Sequence, residues 1–153
     1  EKMSGMSLHF CENQAVDSVI SHYAALAAKE EIPFKAAIEL PAEILADEID
    51  LCLILSNLLE NAVEASIRTE KSRRKIKLEV RLHHTHLILI QVENAFDGQI
   101  KEKNSVFQSS KRDGNGIGIE SVRRISEKNG GSSSFQYKNG IFTAKIMLRT
   151  ESA

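Results

Sequence analysis

Apolar residues follow two rhythms along this chain. Over about 13–30, Val16, Val19, Ile20, Tyr23, Ala24, Leu26 and Ala27 recur mostly at intervals of three and four, and that spacing predicts a helix. Ile32 and Pro33 stop it, 34–40 reads as a short strand, and Pro41 closes the strand. The helical rhythm returns over about 47–68, with acidic residues in the first turn. The period then changes to two. Ile76, Leu78, Val80 and Leu82 alternate with Lys77, Glu79 and Arg81, which predicts a half-buried strand. His83-His84-Thr85 reads as a turn, and 87–92 as a more fully apolar strand. Residues 95–113 are polar and weakly patterned, a length of loop that a compact domain keeps when it is functional. A third helix is predicted over 117–128, stopped by Asn129-Gly130-Gly131. Segments 134–137 and 141–148 form a terminal hairpin across Asn139-Gly140. The order predicts an α/β two-layer sandwich, a mixed and mostly antiparallel sheet covered on one face by three helices.

Composition narrows the function classes. A chain of 153 residues fits one domain, and a hydrophobic fraction of 42% supplies its core. Twenty basic residues against 21 acidic ones give no reason to expect direct binding to nucleic acid or to an anionic membrane surface. The longest apolar run, 23–28, falls far short of the roughly 18 residues of a membrane helix, and no secretory signal is expected. Cys11 and Cys52 form no CxxC pair and suit a reducing cytosol. Residues 1–10 read as a linker or expression remnant, and 11–150 as the folded domain.

Two features carry candidate chemistry. Asn57, Glu60, Asn61 and Glu64 fall at i, i+3, i+4 and i+7 and share one face of the middle helix, while Leu51, Leu55, Leu58, Leu59, Ala62 and Val63 take the rest. Such a strip is either a solvated edge or a metal–phosphate site, since a carboxamide oxygen suits a hard cation such as Mg²⁺. Gly114-Asn115-Gly116-Ile117-Gly118 then opens the third helix. Glycines let backbone N–H groups approach a phosphate, and a helix N-terminus favours negative charge; a flexible leader would have the same composition. No Gly-Lys-Ser/Thr follows, and no strand immediately precedes, so neither a Walker A loop nor a dinucleotide fingerprint fits.

Together these residues bring a resemblance. Leu55-Ser56-Asn57-Leu58-Leu59-Glu60-Asn61-Ala62-Val63-Glu64-Ala65 resembles the N box of histidine kinases. Gly114 to Gly118 with the helix up to Ile125, closed by Asn129-Gly130-Gly131, resembles their second glycine box. Val106-Phe107-Gln108-Ser109-Ser110-Lys111 resembles the phenylalanine box and the element after it. Over about 11–149 the chain is similar to the catalytic ATP-binding domain of sensor histidine kinases, within the gyrase, chaperone, histidine kinase and MutL superfamily. It most resembles the branch of peptide-pheromone quorum-sensing receptors. The resemblance implies ATP and Mg²⁺ as cofactors, with Asn61 on the metal and Glu60 supporting the acceptor or the metal's outer shell. It implies nucleotide contacts from Asn57, Asn61, Asn94, Gly98, Lys111, Gly114, Gly116, Ile117 and Gly118, with 95–113 as a lid. It further implies a phosphoacceptor histidine on a dimerisation stalk outside this chain, an Asp-bearing response regulator, and a cytoplasmic position in a bacterial receptor whose membrane segments lie upstream.

The chain also departs from the pattern. Where histidine kinases carry Asp-x-Gly-x-Gly, it has Asn94-Ala95-Phe96-Asp97-Gly98, so Asn94 replaces the adenine-binding Asp and Phe96 the first glycine. Asn57 stands where the superfamily's ATPases place a glutamate base, which favours kinase over ATPase chemistry. A serine protein kinase of the anti-sigma-factor type and a degenerate binding module are the alternatives. His83, His84 and His86 read as a solvated hairpin rather than a metal site, and Lys71, Arg73, Arg74 and Lys75 as a solvated loop. His9 and His22 lack a phosphoacceptor context, and Lys111 and Arg112 are either lid contacts or loop charge.

Overall fold

A computed structural model describes residues 9–84, 86–97, 101–103, 106–108 and 115–150, with the backbone path alone for 101–103, 106–108 and 115–117. Helix α1 spans Gln14–Lys29 and starts at a cap that does two jobs. The Asn13 side-chain oxygen accepts from Val16 N at 3.0 Å, while its amide donates to Ala42 O at 2.9 Å and Glu48 Oε2 at 2.8 Å. One residue thereby caps α1 and ties it to the start of the next helix. Strand β1, Phe34–Glu39, follows. Helix α2 spans Glu48–Ile67, with Asp47 accepting from Asp50 N at its N-cap. Leu51, Ile54, Leu55, Leu58, Leu59, Ala62 and Val63 are all buried in it. A helix so apolar around its circumference must be covered on several sides; α1 and α3 flank it and the sheet lies beneath.

Strands β2 (Ile76–His83) and β3 (Leu87–Ala95) pair antiparallel, and β1 lies parallel to β2. The chain then makes a small hairpin, β4 (Lys101–Lys103) with β5 (Val106–Gln108). Helix α3, Asn115–Lys128, leads to β6 (Ser132–Lys138) and β7 (Ile141–Arg149). The main sheet has the order β1-β2-β3-β7-β6, mixed through its one parallel pair and otherwise antiparallel. Its covered face carries Leu78, Val80, Ile88, Ile90, Val92, Ala144, Ile146 and Leu148, which form the core with the three helices. This is the two-layer architecture that the periodicity predicts. Among the described residues, no helix is long and apolar enough to cross a membrane.

Several boundaries and readings change. The polar stretch 95–113 contains the β4–β5 hairpin, so it is not wholly a loop. Strand β3 runs on to Ala95, and alternate residues rather than all of them are buried. Helix α3 begins at Asn115, inside the glycine box. Its C-terminus is a Schellman motif: Gly131 N donates to Ser126 O at 2.8 Å, Gly130 N to Glu127 O at 3.0 Å, and Gly130 has φ +71°. The Asn139-Gly140 turn has positive φ at both residues, as a two-residue hairpin turn requires.

The solvated reading of the basic loop fails at Arg74. Its guanidinium donates to Glu30 O at 2.8 Å, Thr69 O at 3.0 Å and Ile67 O at 2.8 Å, so one side chain closes the C-terminal ends of both α1 and α2. Those carbonyls lack helical partners, and a cation there also meets the negative ends of two helix dipoles. Lys71, Arg73 and Lys75 are exposed. Replacing Arg74 by Met should leave three carbonyls without their donor and cost about 2–3 kcal/mol. Urea denaturation checks this; an unchanged midpoint would mean that water replaces the guanidinium without loss.

Candidate functional site

The polar strip on α2 is divided between two seams. On one side α1 brings Tyr23, whose hydroxyl lies beside Glu60 and Ser56. Burial pushes the Tyr23 phenol above its ordinary range, and the neighbouring Glu60 charge pushes the same way. Glu60 itself is exposed, Asn57 and Glu64 half-buried. On the other side α3 brings its glycine box. Gly118 lies so close to Asn61 that a Cβ there would stand 3.1 Å from Asn61 Nδ2 and 3.4 Å from Oδ1. The N-terminal turn of α3 therefore abuts the carboxamide of Asn61, and only a glycine at this position leaves that group unhindered.

The far end of the same seam explains how this approach is held. Asp50, in the first turn of α2, accepts from Asn129 Nδ2 at 3.0 Å and pairs with Lys128 Nζ at 3.0 Å, both at the C-terminus of α3. The helices thus run antiparallel, pinned by Asp50 with Asn129 at one end and by Asn61 with Gly118 at the other. The bond from Asn129 and the Lys128 cation hold the Asp50 carboxyl below its ordinary value despite burial, and Asp50 in turn raises Lys128. A depressed folded-state value means that this stabilisation is complete above the ordinary carboxylate range and is lost as pH falls through the folded value. Asp50→Asn should therefore lower the melting temperature at pH 7, with the gap to the native chain closing below about pH 4. A gap that persists unchanged at low pH would contradict the charge argument.

Asn94 occupies the covered face of β3, continuing the buried phase of Ile88, Ile90 and Val92. Its Nδ2 donates to Ala95 O at 2.9 Å, which leaves the carbonyl oxygen of the amide as the group turned elsewhere. Lys75 O joins this end of the strand to α2, because it accepts from Ala95 N at 3.2 Å and from Ser66 Oγ at 3.3 Å. The C-terminal half of α2 thus sits over the end of β3 that bears Asn94. Asn61 carries a neutral oxygen suited to a hard cation, the first turn of α3 a dipole suited to phosphate, and Asn94 a hydrogen-bond acceptor.

The other expected residues are placed as follows. Gly116 and Ile117 lie in the first turn of α3, described by backbone alone. Gly98, Lys111, Arg112 and Gly114 lie outside the described residues. His9 and His22 are exposed, and the His83 and His84 rings meet edge-to-face at the β2–β3 turn. Among the described residues no group of three or more His, Cys, Asp or Glu is arranged to hold a metal ion. Cys11 and Cys52 are free thiols raised by burial. Tyr23, beside the strip, and Asn129, bonded to Asp50 of α2, carry no sequence signal for these contacts, because only the packing of α1 and α3 on α2 creates them.

The profile of the GHKL domain matches residues 47–149, more than half of the chain and all of the elements just described from α2 to β7. The chain belongs to the GHKL domain family. It is 31% identical over 159 residues to the sensor histidine kinase HprS of Escherichia coli (strain K12), a match covering 96% of this chain and 32% of that protein. Its fold is similar to the catalytic domain of histidine kinase ThkA, with a TM-score of 0.70 at 20% identity over 90% of this chain and 92% of that one. The mycobacterial sensor histidine kinase MprB gives 0.68 at 15% identity, covering 92% and 96%. The Acinetobacter baumannii histidine kinase AdeS gives 0.64 at 13% identity, covering 91% and 64%. This GHKL domain is thus homologous to sensor histidine kinase catalytic domains.

One substitution isolates the seam. Gly118→Ala adds a Cβ at 3.1 Å from Asn61 Nδ2, tight enough to displace the carboxamide by a few tenths of an ångström without reaching the core. Helix propensity alone would make alanine the better residue by about 1 kcal/mol. If Asn61 holds Mg²⁺ for a nucleotide, the variant should keep its melting temperature and show about tenfold weaker Mg²⁺-dependent nucleotide binding, about 1.4 kcal/mol, in isothermal calorimetry. Undiminished affinity would show that the Asn61–Gly118 approach serves packing alone.

Proposed function

We propose that this GHKL domain binds ATP with Mg²⁺ and presents the γ-phosphoryl group to a histidine on a dimerisation stalk outside the chain. It would act as the catalytic domain of a two-component sensor kinase of the peptide-pheromone receptor type, on the cytoplasmic side of a bacterial membrane. The contact of Asn61 with Gly118 is the observation that carries this reading, because it unites the two motifs, one suited to a metal and one to phosphate. The half-buried, uncharged Asn61 fits Mg²⁺, which keeps several waters and bridges phosphates rather than filling an all-protein cage. When bound, Mg²⁺ would supply neutralisation of the triphosphate charge.

The remaining roles follow from chemistry and position. Asn57, one turn before Asn61, would reach phosphate oxygens through its amide. Gly114, Gly116, Ile117 and Gly118 would turn backbone N–H groups toward the phosphates, with Gly98 and Lys111 closing from the lid, 95–113. Asn94 would accept from the adenine amino group through the oxygen that its own bond to Ala95 leaves available. Glu60 would act on the acceptor or the outer shell of the metal, from the side where it meets Tyr23. Catalysis of this kind rests on positioning and charge stabilisation. A response regulator would take the phosphoryl group onward.

Labelling with γ-radiolabelled ATP tests the reading. The chain alone should show a melting temperature raised by several degrees with millimolar MgATP, no self-labelling, and slow phosphate release. Adding the stalk should yield an acid-labile label. Acid-stable self-labelling would point instead to a serine kinase, fast phosphate release to an ATPase, and no thermal shift at all to a binding module that has lost its nucleotide.

A further inference from the structure

Phe96 stands where histidine kinases carry a glycine, and its surroundings give it a task. It lies two residues beyond Asn94, just past the end of β3, and is 9% exposed. Its N–H donates to Gly140 O at 2.8 Å, in the β6–β7 turn. Its ring meets Tyr137 edge-on at 5.5 Å and Phe142 at 6.4 Å. Those two residues belong to the cross-strand row of Asn94 itself, since Asn94 is paired with Phe142, and Phe142 with Tyr137. Phe142 is backed in turn by Phe135 at 6.2 Å, and Arg123 of α3 lies over the Phe135 ring at 5.3 Å.

The peptide segment from Asn94 to Phe96 is therefore fixed at both ends. Ala95 N is held by Lys75 O at 3.2 Å, Phe96 N by Gly140 O, and the Phe96 ring by the aromatic row. This matters because the Asn94 amide takes its orientation from Ala95 O, the carbonyl of the peptide bond that joins Ala95 to Phe96. An asparagine differs from an aspartate in having two unlike ends, and rotation of the amide by half a turn would replace an acceptor by a donor. A glycine at 96 would offer no ring to hold that peptide plane. Rim contacts reinforce the latch: Arg73 lies 4.0 Å from Asp97, and a Cβ at Gly140 would stand 2.9 Å from Arg73 Nη2.

We infer that Phe96 is a positioning residue for base recognition: by packing on Tyr137 and Phe142 it fixes the Ala95 carbonyl, and through it presents the Asn94 oxygen as an acceptor that selects a 6-amino purine over a 6-oxo purine. The inference rests on the proposed nucleotide binding and concerns the base half of that site alone. The phosphate half, at Asn61 and Gly118, lies on other elements.

The test compares MgATP, MgGTP and Mg-tripolyphosphate, which has no base, by calorimetry on the whole chain. Two variants are used. Phe96→Ala removes the anchor, and Tyr137→Ala removes the ring it leans on at a residue 40% exposed, where loss of the fold is not expected. Circular dichroism monitors folding of both. Phe96→Ala should weaken MgATP about tenfold, the scale of one well-placed hydrogen bond. It should compress the ATP-to-GTP preference and leave tripolyphosphate unchanged. Tyr137→Ala should shift the same ratio in the same direction by a smaller factor, and it carries the test if Phe96→Ala does not fold. Unchanged selectivity in the folded variants overturns the inference, as does an equal loss for ATP and tripolyphosphate, which would mean a general loosening of the domain. A native chain that binds neither ATP nor tripolyphosphate would overturn the proposed function and this inference together.

Discussion

The seam between α2 and α3 sets the geometry on which the rest depends. Leu51, Ile54, Leu55 and Leu59 in α2 are fully buried, and each contributes about 1.5–3 kcal/mol by leaving water. That burial fixes α2 at the centre of the helix layer but does not decide how far α3 slides along it. The polar contacts at the two ends decide that. Asp50 fastens Asn129 and Lys128 at one end, and the missing Cβ of Gly118 lets α3 come down on Asn61 at the other. A helix is a stiff rod, so a rod held at its C-terminus places its N-terminus. The Schellman motif extends this control into the sheet. Gly131 must be glycine because a Cβ there would fall 1.7 Å from Met147 O, so the end of α3 is pressed directly onto β7.

The sheet supplies the second fixed reference. Side chains alternate strictly along a strand, and a slip of one residue would reverse every face. Asn94 shares the phase of Ile88, Ile90 and Val92, so the apolar residues that anchor β3 also commit a polar group to the covered side. Such a burial is tolerable only with a partner, and the Ala95 carbonyl provides one for the amide. Lys75 O then couples this strand end to Ser66 of α2, so the two halves of the candidate site are registered through one carbonyl. Arg74, the neighbouring residue, locks the ends of α1 and α2 to the same loop.

Much of this is legible in the sequence because it is local. The period-two run from Ile76 and the helical spacing around Leu55 yield their elements directly, and Asn139-Gly140 yields its turn. The glycine box and the strip containing Asn61 are visible as separate patterns, since each is a local spacing. Their mutual approach is not, because it depends on what α3 lacks at position 118 rather than on what it has. Long-range partners are hidden for the same reason. Arg74 sits in a run of basic residues that composition reads as solvated, and only the convergence of two helix ends on it makes it structural. The extension of β3 through Asn94 to Ala95 is hidden in the sequence, because a polar residue ends an apolar run in the pattern, while in the sheet it continues the buried phase.

The division of the α2 strip between two seams bears on what the proposed site can do. Hydrolysis needs a base within reach of a water beside the terminal phosphate. Asn57 has no useful basicity, so a carboxylate would have to come from Glu60 or Glu64. Glu60 lies on the α1 side, beside the Tyr23 hydroxyl, whereas Gly118 approaches α2 from the α3 side. A carboxylate beside a phenol, on the side of the strip away from the phosphate-suited helix end, is poorly placed to deprotonate water there. In the proposed function this arrangement has a use. A bound triphosphate keeps its terminal group until an outside nucleophile arrives, and the exposed flank of α2 that bears Glu60 is the side open to receive one. The same helix would then separate the two needs of a phosphoryl donor, retention of the group on its α3 flank and release to an acceptor on its α1 flank.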